Sequence, residues 1–377
     1  MTTTSRSTTG GMIREHPARN LWEARWVGAD GCKHSSYAKT RRLAQERLRA
    51  GLAAADAGIR PITSGLTLSA WLDEWLETTV AVRCRPSTAR SYRDVARRYI
   101  RPAIGKKSLA KLTAEDVTRM LIGLTARGDL SPTTVRYAYV VLRISLGRAL
   151  KSGRVTRNVA TLVDPPSRAA FELSPLSAAQ VATFRAALAG HRLEPLFLTA
   201  LGLGARQGEL LALRWADLDL DVGTVTIRAT LDPLSGELGE PKTEHSRRTL
   251  RLPLPVAVVL RRHRVEQAAA RALARRWDAR GFVFSTNTGR PLSSQNVTRD
   301  LHALLAAAGL PRQRFHDLRH AFATLQLEAG ADVFEVSRAL GHASIATTAN
   351  TYGHFTRAMA ERSADRMTAI LGESTGS

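Results

Sequence analysis

The chain has 377 residues, with 55 Lys or Arg against 33 Asp or Glu, a formal net charge of +22. A field of that size and sign favours a polyanionic partner, nucleic acid first, over the alternative of a merely well-solvated protein. At 44% hydrophobic the chain can fill the cores of two or three domains, and no run of apolar residues is long enough for a membrane span. The polar start MTTTSRSTTGGM lacks a secretory apolar stretch. With Cys32 and Cys84 alone there is no disulfide framework and no four-thiolate zinc site, which fits a reducing cytoplasm. Lysine occurs only at Lys33, Lys39, Lys106, Lys107, Lys111, Lys151 and Lys242, so 48 of the 55 basic residues are arginine.

Residues 1–11 read as a disordered tail. LWEARWV and CKHSSYA then flank GADG, whose Asp30-Gly31 is a hairpin signal. Thr40 caps a helix RRLAQERLRAG that Gly51 should stop, giving a small β-then-α module over residues 12–58. AAADAGIRPITSGL has linker composition, with the linker proper at 59–66.

Residues 67–163 read as a helical domain. Thr67 opens TLSAWLDEWLETT, Ser87 caps TARSYRDVARRYI, and Pro102 should end that helix. At roughly 100° per residue, Tyr92, Val95, Ala96 and Tyr99 share one side of it, and Arg90, Arg93, Arg97 and Arg101 share the other, with only Asp94 nearby. A solvated face usually mixes signs, so a one-sign stripe points to phosphates. Thr113 to Asp116 is a capping-box pattern, and Ser131-Pro132 starts a long helix stopped by Gly153.

DPPSR opens a second linker, 164–173, and a mixed α/β region follows over 174–372, with a tail at 373–377. Ser177 and Gln180 box a helix start. LEPLFLTALGLG and GELLALRW read as apolar helices, TVTIRAT and RRTLRLP as hairpin strands, and FVF as a short strand. VAVVLRRHRVEQAAARALA, NVTRDLHALLAAAG, HDLRHAFATLQLEAG and VFEVSRALG read as further helices. No glycine-rich phosphate loop occurs, which argues against an ATP or dinucleotide site.

HDLRHAFATL carries the unusual chemistry. Leu318, Phe322 and Leu325 make a core-facing stripe, and His316 and Arg319, three apart, share another face. H-x-x-x-H at His316 and His320 could hold a metal, but Asp317 stands where the strong form of that motif has Glu. The guanidinium of Arg319 beside it would attract an anion instead. Arg206 precedes an apolar helix with Glu209 three residues on, placed to lock the guanidinium. His342 follows a glycine-stopped helix, and Tyr352 lies in a Thr-rich segment of poor helix propensity. Taken singly, each has an ordinary reading as local ion pair, helix cap or core edge.

Taken together, in order, they resemble the tyrosine recombinase (phage integrase) family. Its pattern is an Arg in a G-x-R-x-G-E turn, a Lys on a β-hairpin, H-x-x-R, a His or Trp after L-G, and a Tyr about ten residues later. Arg206, Lys242, His316, Arg319, His342 and Tyr352 match it, with Glu209 in the acidic position. The resemblance implies a multidomain fold, mainly α with α+β parts. An arm-type DNA-binding-like module, a helical core-binding domain and a mixed α/β catalytic domain would follow one another along the chain.

It further implies cleavage and rejoining of DNA through a 3′-phosphotyrosyl intermediate at Tyr352. Arg206 and Arg319 would hold the non-bridging oxygens. Lys242 would protonate the leaving 5′-hydroxyl, which no arginine can do; that gives the lone lysine after position 151 a reason. His316 would take the tyrosine proton or bond the phosphate, His342 would donate to a phosphate oxygen, and His320 would be a structural neighbour. No cofactor or metal is needed, because the intermediate stores the bond energy. The implied partners are double-stranded DNA attachment sites, further copies of the chain in a DNA-bound tetramer, and accessory DNA-bending or directionality proteins. A chromosome-dimer resolvase or type IB topoisomerase shares the catalytic set, and a catalytically silent DNA-binding regulator is the reading from another class. The N-terminal module and the intact residue set favour an integrase of a mobile element.

Overall fold

The structure, a computed structural model, describes residues 5–6, 11–16, 20–29, 31–56, 65–167, 174–232, 235–239, 247–352, 367–368 and 371. The chain divides into two compact units, residues 1–171 and 172–377.

The first unit begins with an antiparallel sheet. Leu21–Val27 pairs on one side with Met12–His16 and on the other with Lys33–Ala38, closing the expected hairpin beside Gly31. Ser5–Arg6 adds an edge strand against Ile13 and Met12, so pairing reaches into the stretch expected to be a disordered tail. Strand alternation puts Ala24 in a small core between Trp22 and Trp26, with Ile13, Ala38 and the helix residues Ala44 and Leu48. The opposite face holds Glu23, fully buried, whose carboxylate accepts from Arg14 at 2.5 Å, Arg25 at 2.8 Å and Tyr37 at 3.1 Å. Thr40 caps the helix as expected, its Oγ1 accepting from Leu43 N. The helix does not stop at Gly51, however, and runs over Arg41–Asp56. Gly51 is there for close approach, since a Cβ would lie 2.3 Å from the Trp26 ring.

The helical part of this unit has its own core around Leu68, Leu72, Trp75, Ile100, Leu142 and Leu146, with Trp75 stacked on Tyr92 at 5.6 Å. Thr67 caps Leu68–Trp75, Thr113 and Asp116 form the capping box of Ala114–Ala126, and Ser131 caps Pro132–Lys151. The helix carrying the arginine stripe departs from expectation at both ends. It starts two residues earlier with Pro86 at its first position, where proline's missing N–H costs nothing, and Ser87 is not the cap. Nor does Pro102 end it. A π turn over Ala96–Ile100, in which the Arg101 N–H reaches Ala96 O, lets a last helical turn Arg101–Ile104 continue through the proline. The widened turn also shifts Arg101 off the stripe. Arg90, Arg93 and Arg97 are exposed, whereas Arg101 is held by Asp73 at 2.5 and 3.2 Å.

In the second unit, helix Glu194–Leu203 is apolar on all sides because it is buried on all sides, packing against Phe315–Glu328 and Leu254–Leu273. Ala178–Leu188 starts at the expected Ser177–Gln180 box. A three-stranded antiparallel sheet sets Leu218–Asp219 against Thr224–Ile227 and the latter against Arg248–Arg251. Ser294–Ala307, Val333–Leu340 and Ile345–Tyr352 complete the described helices of this unit. Two expectations change here. GELLALRW is helical only over Gln207–Leu211, and a short 3-10 turn follows at Trp215–Asp217. FVF is no strand: Phe282 makes a single bridge to Arg214, and the three side chains, 1%, 0% and 3% exposed, serve as core.

The stripe gives a testable consequence. Affinity for duplex DNA should fall by about 0.9 log unit per phosphate contact for each log unit of salt. Changing Arg90, Arg93 and Arg97 together to Ala should flatten that slope, while Arg101→Ala should leave it unchanged. A slope unaffected by the triple change would put the stripe in solvent only.

Candidate active site

The second unit gathers most of the expected residues around the end of helix Glu194–Leu203. That helix stops at Gly204, whose φ of 58° is left-handed and where a Cβ would come 2.4 Å from Phe322. The reversal delivers Arg206 to the N-terminal edge of Gln207–Leu211, one turn before Glu209. The Glu209 carboxylate, 3% exposed, accepts from Arg206 Nη1 at 2.7 Å and from the Arg206 backbone N–H at 3.0 Å. The lock inferred from the sequence is therefore present.

A second cation shares this carboxylate. Arg248 Nη2 donates to Glu209 Oε2 at 3.0 Å, and its Nε donates to Ala339 O at 2.8 Å. Sequence reasoning missed Arg248 while reading RRTLRLP only as a strand. The signal was there: Arg248 and Leu250 alternate onto one face, opposite Ile227 and Val225, so an arginine side chain points at core. Only 7% of that side chain is exposed, and a cation so buried needs a carboxylate.

Arg319 rises from helix Phe315–Glu328 and is 2% exposed. Its Nη1 donates to Gly204 O at 2.8 Å, while its Nη2 is buried and makes no hydrogen bond among the described residues. Burial first, then the charges of Arg206 and Arg248, push this guanidinium down to about 9, with Glu209 opposing. It stays charged at neutral pH, beside two more cations and one carboxylate. An excess of buried positive charge with an unused donor is the electrostatic signature of an anion site.

The histidines feel the same field. His316 is lowered to about 4 by burial, His320, Arg319 and Arg206. His342 is lowered to about 4 by burial, Arg319, Arg206, His316 and Arg248. Both are neutral imidazoles at neutral pH, and His342 Nδ1 lies 2.7 Å from Thr348 Oγ1. Gly341, at φ 66°, ends Val333–Leu340 and turns the chain toward His342; a Cβ there would meet the Arg248 guanidinium at 2.9 Å.

Tyr352 is 4% exposed on the last turn of Ile345–Tyr352, a segment that is helical despite its threonines because it packs against Val333–Leu340. Burial raises its phenol to about 12, opposed by Arg319. Its hydroxyl lies 2.7 Å from Nδ1 of His320, with the two rings edge-to-face at 5.7 Å. His316, expected to take the tyrosine proton or bond the phosphate, stands edge-on to His320 at 5.0 Å. His320, expected as a structural neighbour of the site, is in direct contact with the phenol. Lys242 lies outside the described residues. Among those described, no group of three His, Cys, Asp or Glu could hold a metal ion, and no helix is long and apolar enough to cross a membrane.

Comparison with known proteins places the chain in a family. The sequence profile of the phage integrase family matches residues 176–359, and that of the phage integrase N-terminal SAM-like domain matches 67–124. An integrase of Streptomyces ambofaciens is 30% identical over 325 residues, covering 83% of each chain. A tyrosine recombinase XerC-like protein of Caldanaerobacter subterraneus subsp. tengcongensis is 29% identical, over 84% of this chain and 87% of its own. The fold is similar to that of the Tn1549 transposon integrase in complex with transposon right end DNA, with TM-score 0.67 and 20% identity over 79% of this chain and 99% of that one. It is also similar to a lambda integrase dimer bound to a core site, with TM-score 0.58 and 18% identity over 92% and 93% of the two chains.

The chain belongs to the phage integrase family. It is a tyrosine recombinase, an enzyme of site-specific DNA integration.

The depressed histidines predict a pH dependence. Both fall below the ordinary 6.5, so below that pH the unfolded chain binds more protons than the folded one. Their stabilising contribution is complete above about pH 6.5 and is lost as the pH falls toward about 4. The melting temperature should therefore drop between pH 7 and pH 5, and drop less in a His316→Gln/His342→Gln double variant. An equal drop in both proteins would remove these two groups as its source.

Proposed function

We propose that the enzyme cleaves and rejoins duplex DNA at attachment sites of a mobile element, with Tyr352 as nucleophile. The observation that carries this reading is the buried Tyr352 hydroxyl in the field of Arg319, whose Nη2 still has a hydrogen bond to give. In this reading Arg206 and Arg319 donate to the non-bridging oxygens of the scissile phosphate, and their charge offsets what develops in the transition state. Glu209 orients Arg206. His342 and His316, kept neutral, donate hydrogen bonds without adding charge. Lys242 protonates the departing 5′-oxygen, a role resting on chemistry: lysine can release a proton that arginine keeps. The released 5′-hydroxyl of the partner strand then attacks the phosphotyrosine, so no external energy source is required.

Residues 67–163, with 59–66 and 164–173 as linkers, would grip the core site, using Arg90, Arg93 and Arg97 on phosphates; residues 12–58 would engage a second, arm-type site through the tether. Residues 174–372 would be the catalytic domain. Structures named as a lambda integrase dimer on a core site and a tetramer on a Holliday junction support assembly as a tetramer on DNA. Relatives called integrase, from Streptomyces ambofaciens and Mycobacterium phage L5 among others, support the mobile-element reading over a chromosome-dimer resolvase.

The test uses a nicked duplex that traps the covalent complex. Tyr352→Phe should bind the duplex with unchanged affinity and form no adduct. Lys242→Ala should slow adduct formation by about 10²- to 10⁴-fold, the usual scale of a general-acid contribution. A substrate with sulfur at the 5′-bridging position, whose thiolate leaves unprotonated, should restore its rate. Adduct in Tyr352→Phe would move the nucleophile elsewhere.

A further inference from the structure

We propose that His320 accepts the hydroxyl proton of Tyr352 as the tyrosine attacks, a role that rests on Tyr352 being the nucleophile. Three observations carry it. The His320 Nδ1 to Tyr352 Oη distance of 2.7 Å is that of a direct hydrogen bond. The contact joins two helices, Phe315–Glu328 and Ile345–Tyr352, so it fixes the phenol as well as receiving from it. His316, one turn earlier on the same helix, meets the ring of His320 edge-on at 5.0 Å.

The charged groups facing His320 are Asp317, which favours a proton on it, Arg314 and Arg319, which oppose one, with His316 edge-on beside it. Burial and the two arginines keep the ring neutral at rest, so Nδ1 has a lone pair to offer. A phenol raised to about 12 gives up little phenolate unaided at neutral pH, which is the reason an acceptor is needed.

The step balances as follows. The Tyr352 oxygen forms its bond to phosphorus while its proton passes to His320 Nδ1. The bond from phosphorus to the 5′-oxygen breaks, and that oxygen takes its electron pair and a proton from the general acid. His320, now imidazolium, returns the proton to the phenol when the incoming 5′-hydroxyl displaces Tyr352, and that hydroxyl gives its own proton back to the group that acted as general acid. His316 stays neutral meanwhile, since two imidazolium rings at 5.0 Å would repel.

The test uses the full chain and the nicked duplex. His320→Ala should slow adduct formation by about 10²- to 10⁴-fold at pH 7, with duplex affinity unchanged. The deficit should shrink as the pH rises. Replacing Tyr352 with 3,5-difluorotyrosine, a more acidic phenol, should restore most of the rate in His320→Ala while changing the parent little. His320→Gln, which conserves volume, should fold with a near-parental melting temperature and show the same pH-dependent, fluorotyrosine-rescued deficit. An unchanged rate in both His320 variants, or a deficit that neither pH nor the acidic phenol relieves, would reduce His320 to packing. If Tyr352→Phe still formed adduct, the nucleophile assignment itself would fail, which is a separate result.

Discussion

One buried carboxylate organises the second unit. Glu209 takes hydrogen bonds from Arg206 and Arg248, which come from different segments, and Arg319 approaches the same pocket from a third. At an effective dielectric of ~20, two unit charges ~4 Å apart interact by about 4 kcal/mol, so three guanidinium groups converging without a carboxylate would push the elements apart. With Glu209 between two of them the cluster holds, yet remains positive. Burial, reinforced by the residual charge, depresses His316 and His342, and one Arg319 nitrogen has no hydrogen-bond partner among the described residues. In the proposed reading a single phosphodiester would supply what is missing: one negative charge and two acceptor oxygens.

The surrounding fold serves this arrangement by bringing backbone close. Gly204 must adopt a left-handed conformation and carry no side chain, so that its carbonyl can face Arg319 while Phe322 packs beside it. Gly341 does the same next to Arg248. Tyr352 arrives on a helix that secondary-structure preference alone would not select, held against Val333–Leu340. The position of Tyr352 therefore depends on tertiary packing, and its hydroxyl is delivered onto His320 rather than into open solvent.

Much of this was legible in the residues. Capping boxes at Thr113 and Ser177 and the all-apolar LEPLFLTALGLG marked their helices correctly, because those signals are local and chemical. The order of Arg206, Lys242, His316, Arg319, His342 and Tyr352 identified the family. What was not legible depended on contacts distant in sequence. Gly51 reads as a helix stop until Trp26 is known to lie against it, and Pro102 reads as a terminator until the π turn before it is seen. Arg101 left the basic stripe for Asp73, 28 residues away. His320 could not be assigned from H-x-x-R-H, since its partner lies 32 residues downstream.

The most direct measurement concerns the charge that completes the pocket. Adduct formation would be compared for the parent and Arg319→Ala on two nicked core duplexes. One carries the natural phosphate at the scissile position; the other carries a methylphosphonate, which lacks the negative charge and one oxygen. If Arg319 acts on that oxygen, its removal should be severe on the phosphate and largely without effect on the methylphosphonate. An equal penalty on both substrates would contradict a pocket built for the phosphate anion.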